Sequence, residues 1–222
     1  MVRLGDVATY TGIDDIPLVA GHPALDLVNT VEPRLPRSAP GEPAEAVLDH
    51  FAVPSAVLLW GRRSGLLTEA EAAAEEAAWR SAPELAERCR DAVVAAREAL
   101  YDVLTDSSVD PQLGLLSANW ATAAGRSQLR PTRSGRPEFE QVVGTEPGLV
   151  LLDRISVAVV QLLTTADLGL LRACPLEEGG CGWLFLDRSR GRTRRWCVMA
   201  DCGTKAKARR LNDRRRTARQ RS

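Results

Sequence analysis

The spacing of apolar residues predicts helices over much of the first 170 positions. Within residues 84–104 the apolar side chains recur at steps of three and four, at Leu85, Cys89, Val93, Ala96, Leu100 and Leu104. This spacing is typical of one face of an amphipathic helix, and it predicts that the cysteine on that face is a small core residue. Residues 55–67 and 68–82 predict two more helices. The second begins with a capping box, in which Thr68 and Glu71 stand three residues apart.

Two further patterns complete this mostly helical part. Residues 127–143 alternate in polarity around a Ser-Gly pair, which predicts a β-hairpin. Residues 147–166 are almost all apolar, but Asp153 and Arg154 interrupt a run close to the length of a membrane span, so we predict a buried central helix. The prolines in residues 31–46 predict a long surface loop, which either covers a pocket or has no such role. We therefore expect a mainly α domain with one β-hairpin, of the α+β class.

Charge divides the chain into two parts, although its formal net charge is zero. Residues 171–222 contain fifteen Lys and Arg against five Asp and Glu, whereas residues 1–170 contain fourteen against twenty-four. Such asymmetry favours an acidic domain over 1–170 and a basic module over 171–222 that binds a polyanion. Association between the two parts is the alternative. We predict neither a signal peptide nor a transmembrane helix, and we expect a soluble, cytoplasmic protein.

Four of the five cysteines lie within the basic part, at Cys174, Cys181, Cys197 and Cys202. Thiols stay reduced in the cytosol, where clustered cysteines more often bind metal than form disulfides. Two pairs separated by about fifteen residues are typical of a two-knuckle zinc site. Four thiolates close the coordination shell, so we predict one structural Zn²⁺ per chain and no catalytic metal. Metal-free thiols and an iron–sulfur cluster remain alternatives on spacing alone.

The sequence around these cysteines predicts a small hairpin followed by a basic helix. Residues 183–187 and 194–198 are predicted strands, and the glycine in 188–193 supplies the turn. Trp183, Phe185 and Trp196 are expected to form a small core beside the metal. A helix is predicted to follow the last cysteine, with Thr204 as its N-cap. Its inner stripe is narrow, formed by Ala206, Ala208 and Leu211, and beyond residue 213 the chain is either helical or a solvated, disordered tail.

No catalytic constellation can be assembled from this sequence. His22 and His50 are the only histidines, neither has a nucleophile at a recognised spacing, and no phosphate-binding glycine loop is present. We therefore expect no enzymatic activity. Asp26 and Asn29 stand three residues apart, and on one helical face they either line a ligand site or form hydrogen bonds within the fold.

The residues that surround the cysteines resemble a known family. The segments CGWLFLDRSR, RRWCVM and CGTKAKARR resemble the CGNR zinc finger, which is named after the residues at its last cysteine. The segment PALDLVNTVEPR, residues 23–34, resembles the opening of the ABATE domain, which precedes that finger in bacterial proteins. The resemblance implies a stress-associated transcription regulator of bacteria with a zinc-bound, DNA-binding module at its C-terminus. It carries the zinc ligands onto the same four cysteines.

One departure from the family pattern concerns the last knuckle. Where the family has Cys-Gly-Asn-Arg, this chain has Cys202-Gly203-Thr204-Lys205. Lys205 keeps the positive charge but replaces a planar guanidinium by a point charge, which puts bidentate recognition of a base or phosphate at this position in question.

Charge and resemblance together predict a regulator that binds double-stranded DNA. We expect the predicted hairpin to contact phosphates through Arg188, Arg190, Arg192, Arg194 and Arg195. We expect the helix to reach the groove through Lys205, Lys207, Arg209 and Arg210. The domain over 1–170 is expected to bind a small-molecule effector or to form a homodimer, and the DNA-bound protein would be associated with the nucleoid. A zinc-ribbon module for protein or RNA, without sequence-specific DNA binding, is the alternative.

Overall fold

A computed structural model describes residues 10, 12–35, 48–105, 110–132 and 138–220 of the chain. Its helices are α1 (Pro23–Val28), α2 (Pro54–Arg63), α3 (Glu69–Ser81), α4 (Pro83–Thr105), α5 (Asp110–Gly125), α6 (Val150–Thr165) and α7 (Thr204–Gln220). Its strands are β1 (Val31–Glu32), β2 (Leu48–Asp49), β3 (Gln128–Pro131), β4 (Phe139–Val142), β5 (Leu171–Ala173) and β6 (Leu184–Leu186). The predicted α+β class is confirmed.

The chain forms two compact units. The first unit contains the described residues up to Asp49 together with those from Asp167 onward, and the second is His50–Ala166. Residues from both sides of the predicted boundary at 170 thus contribute to the first unit. The division into domains over 1–170 and 171–222 stays a prediction.

The second unit is a bundle of α2 to α6 with the β3–β4 hairpin. Helices were predicted at the positions of α2, α3, α4 and α6, whereas α5 was not predicted. The predicted capping box is present: the Thr68 hydroxyl accepts a hydrogen bond from the Glu71 amide, and the Glu71 carboxylate accepts one from the Thr68 amide. The Glu71 carboxylate also binds the Arg154 guanidinium on α6, which ties the start of α3 to the central helix.

The residues at the start of α6 and just before it are held by buried polar side chains of α3 and α4. The Glu75 carboxylate of α3 accepts hydrogen bonds from the Gly148 amide at 2.5 Å and the Leu151 amide at 3.5 Å. The Gly148 carbonyl accepts from the Trp79 indole and the Cys89 thiol. Cys89 is 2% exposed, which confirms its predicted place in the core. Burial raises the pKa of its thiol to about 11.

The hairpin predicted over 127–143 and the central helix predicted over 147–166 are both present. β3 and β4 pair in antiparallel register with Gln128 opposite Val142, and the turn over 133–137 lies outside the described residues. α6 buries one face, and its Asp153 carboxylate pairs with the Arg126 guanidinium. Within the described ranges, none of the helices combines the length and apolar character that a membrane-crossing helix needs. Most of the proline-rich segment predicted as a surface loop, residues 36–46, also lies outside those ranges.

The first unit is built on an antiparallel pair, β5 with β6. The strand predicted over 183–187 is confirmed, but the second strand predicted over 194–198 is wrong. The partner of β6 is β5, which precedes the first clustered cysteine, with Leu171 opposite Leu186. Residues 194–198 form no ladder, because several of their backbone groups bond to side chains instead: the Arg194 amide to Asp187, and the Trp196 and Cys197 carbonyls to the Arg194 guanidinium.

The other edge of β6 is covered by residues 10 and 12–35, the N-terminal segment. The Asn29 side chain accepts a hydrogen bond from the Leu184 amide and donates one to the Leu184 carbonyl, each 2.9 Å. It therefore pairs with β6 as a neighbouring strand residue would. The Leu186 amide donates to the Ala20 carbonyl, and the Trp183 indole donates to the Val31 carbonyl. These bonds make residues 20–31 part of the core around β6.

A second contact explains a glycine of the CGW segment. The Arg34 amide donates to the Cys181 carbonyl at 2.7 Å. Gly182 has a φ of +78°, and a Cβ there would lie 1.9 Å from the Arg34 carbonyl oxygen. Only glycine fits this backbone conformation and this close approach.

Candidate metal centre and nucleic-acid interface

The four clustered cysteines converge on one point. All are buried, and the sulfurs of Cys174, Cys181, Cys197 and Cys202 lie within 4.8 Å of one another. The Cys181 and Cys197 sulfurs are 3.3 Å apart, and the Cys197 and Cys202 sulfurs are 3.6 Å apart. A tetrahedral zinc ion with Zn–S bonds of about 2.3 Å separates its sulfurs by about 3.8 Å. The spacing therefore fits a closed four-thiolate shell.

The chemistry of the donor set fits a metal as well. Hydrogen bonds with Cys181, Cys197 and Cys202 lower the pKa of the Cys174 thiol well below its usual range, whereas the corresponding bonds raise that of Cys181. Thiols packed this closely share their protons unequally, and a divalent cation that replaces those protons removes the conflict. A bound zinc ion supplies no open coordination position here, so its contribution is to hold the two knuckles together.

The first knuckle runs from Cys174 to Cys181 and the second from Cys197 to Cys202. Each is shaped by close packing around a glycine. The first knuckle turns through a short 3₁₀ segment, Leu176–Glu178, and a Cβ at Gly180 would lie 2.6 Å from the Cys174 sulfur. The second knuckle is a π-helical turn, Met199–Gly203, that leads directly into α7. A Cβ at Gly203 would lie 2.5 Å from the Met199 sulfur, so a side chain at the second residue of the CG pair would have to displace the Met199 side chain.

An aromatic from the N-terminal segment supports the second knuckle. The Tyr10 ring stacks on Trp183 with centroids 5.5 Å apart, and its hydroxyl donates to the Asp201 carboxylate at 2.5 Å. Burial raises the pKa of this phenol above its usual range, and the hydrogen bond to Asp201 adds to that effect. The core predicted from Trp183, Phe185 and Trp196 is buried as expected, but it includes residues from far upstream.

Residues 188–195, the arginine loop, are organised around a buried carboxylate. Asp187 is fully buried and accepts hydrogen bonds from the Ser189 amide and hydroxyl and from the Arg194 amide. The bond from the Ser189 hydroxyl contributes most to lowering the pKa of Asp187. The backbone is thereby closed into a loop in which Arg192 adopts a left-handed conformation, with φ of 49°. The exposed cations of this loop are Arg188, Arg190, Arg192 and Arg195.

Arg194 differs from these four. Its guanidinium donates to the carbonyls of Val19, Trp196 and Cys197 and stacks 4.3 Å from the centroid of Phe185. These contacts hold the loop against the N-terminal segment and the second knuckle. They leave the Arg194 side chain little freedom to contact a phosphate, in contrast to its predicted role.

α7 continues from the second knuckle to Gln220, beyond the point where the sequence leaves helix and disorder open. Ala206 is 1% exposed, whereas Ala208 and Leu211 are exposed, so the predicted inner stripe is narrower than expected. The prediction of Thr204 as N-cap is wrong: it is the first helical residue, and its hydroxyl donates to the Met199 carbonyl.

Two cations in the first turns of α7 form ion pairs with acidic side chains. The Lys205 ammonium lies 3.5 Å from the Asp201 carboxylate. Arg209 packs on Gly179, where an added Cβ would lie 3.0 Å from the guanidinium. The Arg210 guanidinium pairs with one oxygen of the Glu178 carboxylate, and Arg195 pairs with the other. Lys207 is exposed.

The two residues considered for a ligand site form hydrogen bonds within the fold. Both polar atoms of the Asn29 amide bond to Leu184. The Asp26 carboxylate accepts from the Ala20 amide, and burial raises its pKa to about 6. His22 is the N-cap of α1, with Nδ1 accepting from the Ala24 amide.

Sequence reasoning missed three residues of this region, Tyr10, Glu178 and Asp187. Their partners lie up to 191 positions away. Glu178 and Asp187 stand within or beside the recognised cysteine motif, but nothing in that motif marks their partners.

Comparison with known proteins agrees with this geometry. Residues 171–215 match the CGNR zinc finger, and residues 21–166 match the ABATE family, described as "Putative stress-induced transcription regulator". No curated protein matches the chain. The finger match assigns the four-thiolate centre as a structural site for one zinc ion. The ABATE match covers more than half of the chain. The chain therefore belongs to the ABATE family, and it carries a CGNR zinc finger.

Proposed function

We propose that the first unit binds double-stranded DNA through the arginine loop and the exposed face of α7, and that the protein regulates transcription by this binding. The proposal rests on one observation: two cationic segments, the arginine loop and α7, both adjoin the same metal centre. The loop ends two residues before Cys197, α7 starts two residues after Cys202, and the loop exposes Arg188, Arg190 and Arg192.

The arginine loop and the start of α7 are held in place as well as positively charged. A flexible basic tail loses conformational entropy when it binds a phosphate backbone, whereas a fixed loop loses little. The Asp187 hydrogen bonds hold the loop, and zinc holds the start of the helix. Cations at fixed spacing can match a periodic array of phosphates, which is what sets the register of a protein on a duplex. The family description as a transcription regulator supports the same conclusion.

The test is the salt dependence of DNA binding by the zinc-loaded protein. Each phosphate contact contributes about 0.9 to the slope of log K against log salt concentration. The Arg188, Arg190, Arg192→Gln triple variant is therefore expected to lower the slope by up to about 2.7. Its matched control changes three exposed arginines of the second unit, Arg62, Arg80 and Arg88, to Gln. Equal slopes in the two triple variants would rule out the arginine loop as the contact.

Genomic fragments retained at physiological salt separate the remaining outcomes. One recurrent sequence motif among them supports a sequence-specific regulator. Equal retention of all fragments, whatever their sequence, indicates affinity for the phosphate backbone alone. Retention of RNA or of a protein in preference to DNA favours the alternative zinc-ribbon role.

For the second unit we propose a homodimer, since two apolar side chains of its hairpin face solvent. Leu129 is 76% exposed and Phe139 is 68% exposed. A Leu129→Gln, Phe139→Gln variant is expected to shift sedimentation toward the monomer, and an unchanged profile would contradict this proposal. Effector binding and the expected lack of enzymatic activity stay predictions.

A further inference from the structure

We propose that Arg195 and Arg210 form a two-arginine site for one phosphate group, and that Glu178 occupies this site as an internal competitor in the absence of nucleic acid. The inference rests on the proposed function and names one of its contact points. It also assigns Glu178 a role that opposes DNA binding.

The pairing has the geometry of a phosphate clamp. One guanidinium comes from the arginine loop and the other from α7, and each pairs with a different oxygen of the Glu178 carboxylate. A phosphodiester likewise presents two unesterified oxygens on one monoanionic group. A phosphate that replaced the carboxylate would bond to both arginines and so connect the loop with the helix.

Exposure shows which partner can be exchanged. The side chains of Arg195 and Arg210 are 55% and 54% exposed, while that of Glu178 is 20% exposed. Both cations thus keep more than half of their surface open to solvent while they pair with the carboxylate. Exposed ion pairs contribute little free energy each, so a polyanion that binds elsewhere on the same surface can displace this one.

The site borders a groove large enough for a phosphate. The groove has a volume of about 410 Å³ and is lined by Glu178 and Arg195 together with Arg172 and Arg192. Glu177 lines the same groove and is exposed. Glu177 has no ion-pair partner within the described part of the chain, and it therefore provides a control of equal charge.

The experiment compares the Glu178→Gln and Glu177→Gln variants of the zinc-loaded protein in DNA binding across salt concentrations. The internal competitor predicts that Glu178→Gln binds about three- to tenfold more tightly, because two modest ion pairs no longer have to be broken. Its salt slope should be steeper by about 0.9, since one more net positive charge of the protein is then available to the phosphate. Glu177→Gln should change both quantities by less.

A double-mutant cycle separates competition from a general charge effect. In a background with Arg195→Gln and Arg210→Gln, the gain from Glu178→Gln should disappear. Persistence of that gain, an equal gain from Glu177→Gln, or weaker binding by Glu178→Gln would each overturn the inference. A Glu178→Ala variant repeats the test if the glutamine variant loses zinc.

A second measurement does not depend on DNA. Inorganic phosphate is titrated into the wild-type protein and the Glu178→Gln variant while the guanidinium NMR signals of Arg195 and Arg210 are followed. Signals that move at several-fold lower phosphate in the variant support the site, even if no variant binds DNA and the proposed function fails. Identical titrations of the two proteins would overturn it.

Discussion

The side-chain amide of Asn29 and the backbone of Leu184, 155 residues apart, exchange two hydrogen bonds at the buried edge of β6. Within the two family matches, one partner belongs to the ABATE region and the other to the zinc finger. The finger of this protein thus obtains part of its core from a segment that the sequence assigns to another domain.

Replacing Asn29 by Ala should destabilise the first unit by about 2–3 kcal/mol, because a buried amide and a buried carbonyl of Leu184 lose their partners. The measurement is urea unfolding of the zinc-loaded protein. Asn212→Ala, at an exposed position of α7, is the control and should cost less than about 1 kcal/mol. Equal costs for the two variants would show that the amide pairing contributes nothing.

Zinc content should be one ion per chain and should depend on the four clustered cysteines only. Serine at Cys197 is expected to abolish stoichiometric binding, since a hydroxyl is a poor replacement for a thiolate. Cys89→Ala should keep the ion, because that thiol bonds to Gly148 in the second unit. Elemental analysis and the absorption spectrum of the cobalt-substituted protein check both points. Visible absorption by iron in the purified protein would instead indicate an iron–sulfur cluster.

Replacing Arg194 by Gln should lower stability, whereas replacing Arg190 by Gln should weaken only the salt dependence of DNA binding. Arg194→Gln removes charge-assisted hydrogen bonds to three carbonyls and should lower stability by about 2–3 kcal/mol. Arg190 is exposed on the loop, so its loss should leave stability unchanged and reduce the salt slope of DNA binding by about 0.9. Thermal unfolding and DNA titrations together distinguish the two roles. An Arg194→Gln protein of normal stability with a reduced slope would restore Arg194 as a phosphate contact.

The Glu71 carboxylate should make the second unit sensitive to acid. Hydrogen bonds from Arg154 lower its pKa from 4.5 to about 2, so the unfolded chain binds this proton first as the pH falls. The stabilisation is fully present above pH 4.5 and is lost as the pH decreases toward 2.

Because Glu71 is 35% exposed, solvent screening limits the effect to about 1 kcal/mol. The unfolding free energy of Glu71→Gln should therefore approach that of the wild type between pH 4.5 and 2. Urea unfolding followed by circular dichroism measures this difference. Glu76→Gln, which removes an exposed pair with Arg80, should show a smaller dependence on pH. A pH-independent difference for Glu71→Gln would contradict the assigned ion pair.

Local patterns predicted the elements that depend on neighbouring residues. The capping box of α3, the apolar face of α4 and the four cysteines each have a signal within a short window, and each was found. The strand predicted over 194–198 failed for a physical reason: its aromatic and β-branched residues suit a ladder, but the Asp187 and Arg194 side chains bind its backbone.

Long-range pairings had no comparable signal. Tyr10 with Asp201 and Asn29 with Leu184 connect distant segments, and nothing near either residue in the sequence marks its partner. The ion pairs of Glu178 also escaped prediction, because acidic residues in a basic module ordinarily indicate only a solvated turn.

The second unit is inserted in the chain between the two segments that form the first. During synthesis, α1 and β1 leave the ribosome long before β6 exists, and residues 50–166 are complete by the time the first clustered cysteine appears. Domains generally fold as units while the chain is being made, so the helical bundle can form while Asn29 still lacks its partner. Assembly of the finger is therefore a late event, and it requires an N-terminal segment that has stayed accessible throughout translation.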